Sequence, residues 1–452
     1  MTHLPAILKR GERARLFPVL ADTSKEGRTL SIFLSCLQNV DELGRALLAS
    51  IDVRPGARSR IECFTEVGLH KCGAKANLRP DGLILVTTGA KTWSALVEAK
   101  VGNSDLTTDQ IDSYVELAKL NGIDAVVTLS NQFAPLPAHH PVQGTSAVRK
   151  RIALNHWSWM YVVTEATLLL NNGDVEDKEQ RTILQEMNRF LLHQSSGVKD
   201  FDQMPSVWPE LVSKLQAGGT VASNSVEANG AIGAWHQAAR HLSYVLSRQL
   251  STDVEVRMSR SHAADPAARQ KAALQTLAAD ALLETTLIVP NAAADIRIAA
   301  DLRKRSVTLS MRLRAPDDVK STKARLNWLL RQLVKSDTKN LHVRLIWPGK
   351  TPTSQHSLEA LRTDISLAFA NRPDQTVTSF EVLLVKDLGV RFGQRKNFIG
   401  DVEAALPDFY EQVTQYLKAW QAKAPKLPSD KSDPSNVDVA ALREDLEIQA
   451  QD

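Results

Sequence analysis

Leu78-Arg79-Pro80-Asp81-Gly82 is followed by Leu83-Ile84-Leu85-Val86-Thr87-Thr88-Gly89-Ala90, and a second apolar run ends in Leu96-Val97-Glu98-Ala99-Lys100-Val101. The stretch reads as two strands joined by a turn at Thr87-Thr88-Gly89-Ala90. Successive side chains of a strand alternate faces, so Glu98 and Lys100 project to one side while Val97, Ala99 and Val101 face the other. Asp81 begins the neighbouring strand, held by Pro80 before it and freed by Gly82 after it. Pairing through the Gly89 turn brings Asp81, Glu98 and Lys100 towards one point.

Working outward, residues 60–69 are β-branched and aromatic enough for a third strand, followed by a loop over 71–77. Upstream, Thr23 caps a long helix with Glu26 three positions later, as in a capping box, and Leu30, Phe33, Leu34 and Leu37 follow at helical spacing. Leu43, Leu47, Leu48 and Ile51 continue the stripe in a second helix after Asn39. Downstream, Thr107 caps a helix that stops at Asn121-Gly122, and residues 123–129 form a buried strand reached by helical crossover. A loop rich in Pro and His spans 135–141, then an aromatic strand at 156–163 and a helix at 176–195. Residues 1–22 read as an irregular lead-in.

The chain has 452 residues, 43% of them apolar and 23% charged, the usage of a globular protein large enough for two or three domains. No stretch has the length of apolar run that crosses a bilayer, and residues 2–15 lack a signal-peptide core, so a cytoplasmic protein is expected. Its three cysteines, Cys36, Cys63 and Cys72, include no C-x-x-C pair, which excludes a thiolate-only zinc or iron–sulfur site. A Ser-, Gly- and Pro-punctuated region, 197–228, reads as a linker between a first domain (23–196) and a second (229–424) of α+β or α/β type. The 425–452 tail reads as acidic and disordered.

Asp and Glu oxygens are hard ligands suited to Mg²⁺ or Mn²⁺, and Mg²⁺ binds few protein carboxylates. Such an ion can polarise a phosphoryl oxygen and activate water, while a partly desolvated Lys100 neutralises the charge that develops. The residue types match phosphodiester hydrolysis. Each half of the pattern is common: Glu-x-Lys recurs at Glu176-Asp177-Lys178, and Pro-Asp at residues 316, 373 and 407. Their joint placement on adjacent strands flanked by helices is more specific. The competing interpretation is a solvated hairpin bearing a surface Glu/Lys pair.

Arg79-Pro80-Asp81-Gly82 with Glu98-Ala99-Lys100 resembles the two motifs of the PD-(D/E)XK nuclease superfamily. The resemblance covers roughly residues 22–165 and implies a restriction-endonuclease-like αβββαβ core, an α/β fold. It also implies a Mg²⁺-dependent nuclease with Asp81 and Glu98 as metal ligands and Lys100 as the catalytic lysine. Gln110 and Tyr114, one helical turn apart, are similar to the Q-x-x-x-Y motif of the RecB-like branch, although Thr107-x-x-Gln110 is equally a capping box and Tyr114 equally a core residue. Members often add a carboxylate from the first helix, for which Glu26 is the first candidate, then Glu42 and Glu66. A role in restriction, repair or phage defence is implied by analogy only.

His139, His140 and His156 have no carboxylate or thiolate at ligand spacing and read as a polar loop beside the cleft. Trp157 and Trp159, two apart in the expected strand, read as core. Residues 295–350 carry fourteen Lys and Arg against five Asp, although the whole chain is only +4. Arg303, Lys304, Arg305, Arg312, Arg314, Lys323 and Arg325 dominate this cluster and would hold a phosphate backbone. DNA is the expected partner, with RNA and a homodimer left open and no membrane involved. The alternative is a nuclease-like scaffold that binds nucleic acid or a protein without turnover.

Overall fold

The structure, a computed structural model, describes residues 4–18, 24–71, 79–134, 136–142, 144–147, 151–222, 225–372 and 374–421. Thr23, Cys72, Leu78 and the expected acidic tail lie outside them. The chain is a mixed α/β protein built on two sheets.

Six strands form the first sheet in chain order: β1 (Leu8–Arg13), β2 (Arg60–Leu69), β3 (Gly82–Thr88), β4 (Lys91–Ala99), β5 (Ala125–Ser130) and β6 (Ala153–Ser158). β1 to β4 pair antiparallel, whereas β4–β5 and β5–β6 are parallel. The β3–β4 hairpin aligns Gly82 with Val97 and Thr88 with Lys91, and Gly89 takes φ +60° at its tip. One face of the sheet packs on α1 (Lys25–Asn39) and α2 (Asp41–Ala49) through Phe33, Leu34, Leu37 and Leu47. The crossover helix α3 (Thr108–Asn121) covers the other face, with Ile111, Tyr114 and Val115 against Leu83, Leu96 and Val126. Its ends are those expected: Thr107 accepts from Gln110 N, and Gly122 is left-handed.

Two local expectations are corrected. The lead-in contains β1, the edge strand of the sheet; its Lys, Arg and Glu content is how an edge resists further pairing, and two bulges against β2 obscure its alternation. The aromatic strand expected at 156–163 is β6 followed by helix α4 (Trp159–Asn172). Ser158 ends one element and caps the next, accepting from Tyr161 N at 3.1 Å. Trp157 and Trp159 therefore belong to different elements, yet both are fully buried edge-on against Phe33, with centroids 6.2 and 5.7 Å away. Helix α5 (Lys178–Leu192) completes this half.

The segment expected as a linker contains helix α6 (Trp208–Gln216), whose Trp208, Leu211 and Leu215 are buried in the second core. Long helix α7 (Val226–Leu250) follows, then α8 (Arg260–Ala264) and α9 (Pro266–Asp280). The second sheet has seven antiparallel strands, β7 (Glu255–Val256), β8 (Leu282–Ile288), β9 (Ile296–Asp301), β10 (Ser306–Arg314), β11 (Leu341–Ile346), β12 (Ser354–Ser357) and β13 (Ser379–Asp387). Their spatial order is β12-β11-β13-β10-β9-β8-β7. Ile298, Leu309, Val343 and Val382 join one core with α6, α7, α10 (Thr322–Gln332) and α12 (Arg395–Phe409). β12 runs directly into a short helix, α11 (Leu358–Thr363). Among the described residues no helix is long and apolar enough to cross a membrane.

α7 serves both cores. Trp235, Ala239 and Leu246 face the second sheet, while Tyr244 belongs to the core of the first. The Tyr244 ring lies 6.0 Å from that of Phe133 and 5.9 Å from that of Tyr161.

Candidate active site

The antiparallel hairpin and the parallel strands meet at β4, and the polar groups gather at its carboxyl end. Gly82 lets them approach: a Cβ there would lie 2.8 Å from Leu34 Cδ1 and 3.1 Å from the Phe64 carbonyl oxygen. Only glycine lets α1 press this closely on the start of β3, so Asp81 is held directly beneath the first helix. Its Oδ2 accepts from Ala99 N at 2.9 Å, tying the β3 entrance to the end of β4.

Glu98 and Lys100 share a face, as alternation requires, and Lys100 Nζ donates to Glu98 Oε1 at 2.7 Å. The same ammonium reaches Glu26 Oε1, in the first turn of α1, at 3.1 Å. From the opposite helix, Gln110 Nε2 donates to Glu98 Oε1, while Tyr114 Oη donates to the Arg79 carbonyl at 3.3 Å. Gln110 thus divides its work: its backbone takes the Thr107 cap, and its side chain leaves the capping box for Glu98. Asp81, Glu98, Lys100, Glu26, Gln110 and Tyr114, which come from four elements, are brought together.

The cluster is short of positive charge. Glu98 is 2% exposed, and its Oε2 is buried without a hydrogen-bond partner. Burial, and then the charge of Glu98, hold the Asp81 carboxyl well above the usual carboxylate range. Burial opposes the Lys100 ammonium, yet its hydrogen bond to Glu98 and the charges of Glu98, Glu26 and Asp81 keep its pKa above the ordinary lysine value. Burial and the neighbouring Glu98 likewise raise the Tyr114 phenol.

Asp81 opens onto a cleft of about 370 Å³, lined also by Arg13, Arg15, Ser31, Glu66 and Arg79. Arg13 and Arg15 come from β1 and the residues just after it, the part of the chain that composition alone presents as a tail. Arg13 is braced by Glu62 at 2.6 Å and lies over the Phe64 ring. Glu66, at φ +53° in the bulged part of β2, is exposed at the cleft. Glu42 stands apart in the first turn of α2.

The other expected sites are not in this cluster. His139 and His140, 9% and 8% exposed, lie outside this cluster. His140 Nε2 and His156 Nδ1 each lie 2.8 Å from Thr128 Oγ1. Burial pushes His140 down to about 4, and burial together with His140 pushes His156 down to about 3. Thr128 stands beside Glu98 and His156 in the parallel registers, so a polar row crosses β4, β5 and β6.

The basic residues belong to the second sheet and its helix. Arg303, Lys304, Arg312, Arg314 and Lys323 are exposed, and Arg305 is half-exposed at the β9–β10 turn with φ +54°. Arg314 pairs with Asp317 and overlies Trp420. Arg325 is occupied in the fold: Nε donates to the Val319 carbonyl at 2.6 Å and Nη1 to the Val377 carbonyl at 2.7 Å.

No family model, curated protein or solved structure matches this chain.

Proposed function

We propose that the chain is a Mg²⁺- or Mn²⁺-dependent nuclease acting on DNA, its first half a restriction-endonuclease-like core. The observation that carries this reading is the convergence of Asp81, Glu98 and Lys100 at one buried point with Glu26 and Gln110 around them. A carboxyl perturbed by burial and by a second carboxylate, beside a lysine and next to a cleft, is the pattern of a functional site.

Asp81 and Glu98 fit a hard divalent cation. Glu98 Oε2 lacks a partner, and burial, then the charge of Glu98, hold the Asp81 carboxyl above its usual range, a donor set that suits a hard cation. Among the described residues no three His, Cys, Asp or Glu side chains form a ligand cluster, so waters would complete the shell, as Mg²⁺ prefers. A bound ion supplies Lewis acidity towards a phosphoryl oxygen and towards water. The residues of the chain do the positioning. Gln110 fixes Glu98 Oε1, the Ala99 amide fixes Asp81, and Tyr114 holds the turn that carries Arg79. Lys100, in a desolvated setting, donates to the charge that accumulates on phosphorus oxygens. Arg13, Arg15 and Arg79 at the cleft suit a polyanionic backbone, and the basic second half steers one towards it. A place in phage defence, restriction or repair agrees with this chemistry.

Supercoiled and linear DNA incubated with the protein and Mg²⁺ or Mn²⁺ tests the reading. Cleavage by the wild type is expected to fall at least a hundredfold in Asp81→Ala and in Lys100→Ala. Equal cleavage by all three proteins overturns it.

A second reading, a nuclease-like scaffold that binds without turnover, is favoured by Lys100 itself, whose ammonium is already engaged by Glu98 and Glu26. Calorimetric titration with Mn²⁺ separates the two: heat that disappears in Asp81→Ala belongs to the enzyme, and no heat in the wild type belongs to the scaffold.

A further inference from the structure

Where the two halves meet, the 136–142 loop, α7 and the start of α9 enclose a cavity of about 410 Å³, within the range of small-molecule sites. Phe133, His139, His140, His236 and Arg269 line it. Three features of this wall are unexplained by the fold itself. Arg269 Nη1 is buried with no hydrogen-bond partner, and no carboxylate pairs with it among the described residues. Arg269 also stands in the first turn of α9, the end of a helix that disfavours a cation. His139 is 9% exposed; its Nε2 meets the Ala263 carbonyl at 2.5 Å, and its Nδ1 is buried without a partner.

Burying a cation without a counter-charge is strongly unfavourable, and a folded chain normally places a carboxylate beside it. Here the neighbours are imidazoles. His236 is pushed down to about 3 by burial and then by Arg269 and His262, so the local field is positive. The missing partner is an anionic oxygen, which accepts from Arg269 Nη1. With His139 Nε2 donating to the Ala263 carbonyl, Nδ1 is the ring nitrogen left for the ligand, and in the doubly protonated ring it donates to the anion. Phe133, Pro141, Pro266 and Ala267 give the wall an apolar stretch beside Gln237 and Gln270, which suits a hydrocarbon or aromatic body.

We propose that this cavity binds a small organic anion, a phosphate monoester or carboxylate with an apolar body, through Arg269 and His139. The ligand bridges a loop of the first half and two helices of the second. The site is separate from the candidate active site, and its test does not depend on cleavage.

Thermal unfolding of the full chain is measured with inorganic phosphate, phenyl phosphate, benzoate and neutral benzyl alcohol. Phenyl phosphate or benzoate is expected to raise Tm saturably, by about 5 °C at saturation, with benzyl alcohol inert. Arg269→Met is expected to abolish the shift, because it removes the guanidinium whose Nη1 lies at the cavity without a partner. His139→Phe is expected to weaken binding at least tenfold without changing the fold of α9. A saturable shift from neither organic anion overturns the proposal, and so does an equal shift in Arg269→Met and wild type. A response to inorganic phosphate equal to that to phenyl phosphate overturns the apolar half of the assignment.

Discussion

The two sheets treat charge in opposite ways. At the carboxyl end of β4, Glu98 and Lys100 are withdrawn from water, their side chains 2% and 14% exposed, and held against Glu26 and Gln110. On the second sheet most charges stay at the surface in local pairs, Arg314 with Asp317, Arg257 with Asp295 and Arg297 with Glu284, while Arg344 with Glu381, 34% and 12% exposed, is drawn partly inward. Surface pairs contribute about 0–1 kcal/mol each, whereas breaking a buried pair typically removes about 3–5 kcal/mol because it strands the remaining charge. A fold does not need the first arrangement for stability, since apolar residues would serve β4 better. The difference is what the proposed active site would account for.

The comparison is sharpest at Lys100. Lys100→Met should lower unfolding free energy in metal-free buffer by about 3–5 kcal/mol, read by denaturant titration, because Glu98 and Glu26 lose their common cation. A loss under about 1 kcal/mol would make the two sheets equivalent.

Acid provides the next contrast. His140 and His156 titrate near 6.5 when unfolded but only at about 4 and about 3 when folded, so between those values the unfolded chain binds more protons. Their stabilising contribution is full above pH 6.5 and declines as pH falls towards 4, by on the order of 3 kcal/mol for His140. His140→Asn should flatten the stability profile in that window, followed by urea midpoints at successive pH values. A profile unchanged by the substitution would contradict the buried neutral imidazole.

The smallest effect belongs to the second sheet. Arg314→Ala should change stability by less than about 0.5 kcal/mol, yet lower the slope of log affinity against log salt for DNA by about 0.9 if Arg314 meets a phosphate. An unchanged slope would remove Arg314 from the interface.

Much of this was legible in the residues. Strand alternation is enough to bring Glu98 and Lys100 to one side, and Thr107 and Gly122 state the ends of α3 through cap chemistry. Glu26 was within reach only as a guess, because its meeting with Lys100 depends on how α1 packs across the sheet, 74 positions away in sequence. Trp159 was misread because Met160, Tyr161, Val162 and Val163 favour a strand locally, and only the Ser158 hydroxyl turns the chain into a helix. Arg13 and Arg15 were overlooked for the reason edge strands survive: their charges make them look like a tail. The cavity at Arg269 leaves no sequence signal, since its wall joins Phe133 and His139 to residues of α7 and α9 far along the chain.

Tyr244 has a consequence for how such a chain can be inherited. It sits in the middle of a helix that serves the second core, yet its ring completes the first against Phe133 and Tyr161. A recombination event between residues 197 and 228, where composition marks a seam, would deliver a first half with a hole beside Phe133 and a second half with a bare tyrosine. The two halves are therefore poor currency for module exchange, and lineages carrying one should carry the other.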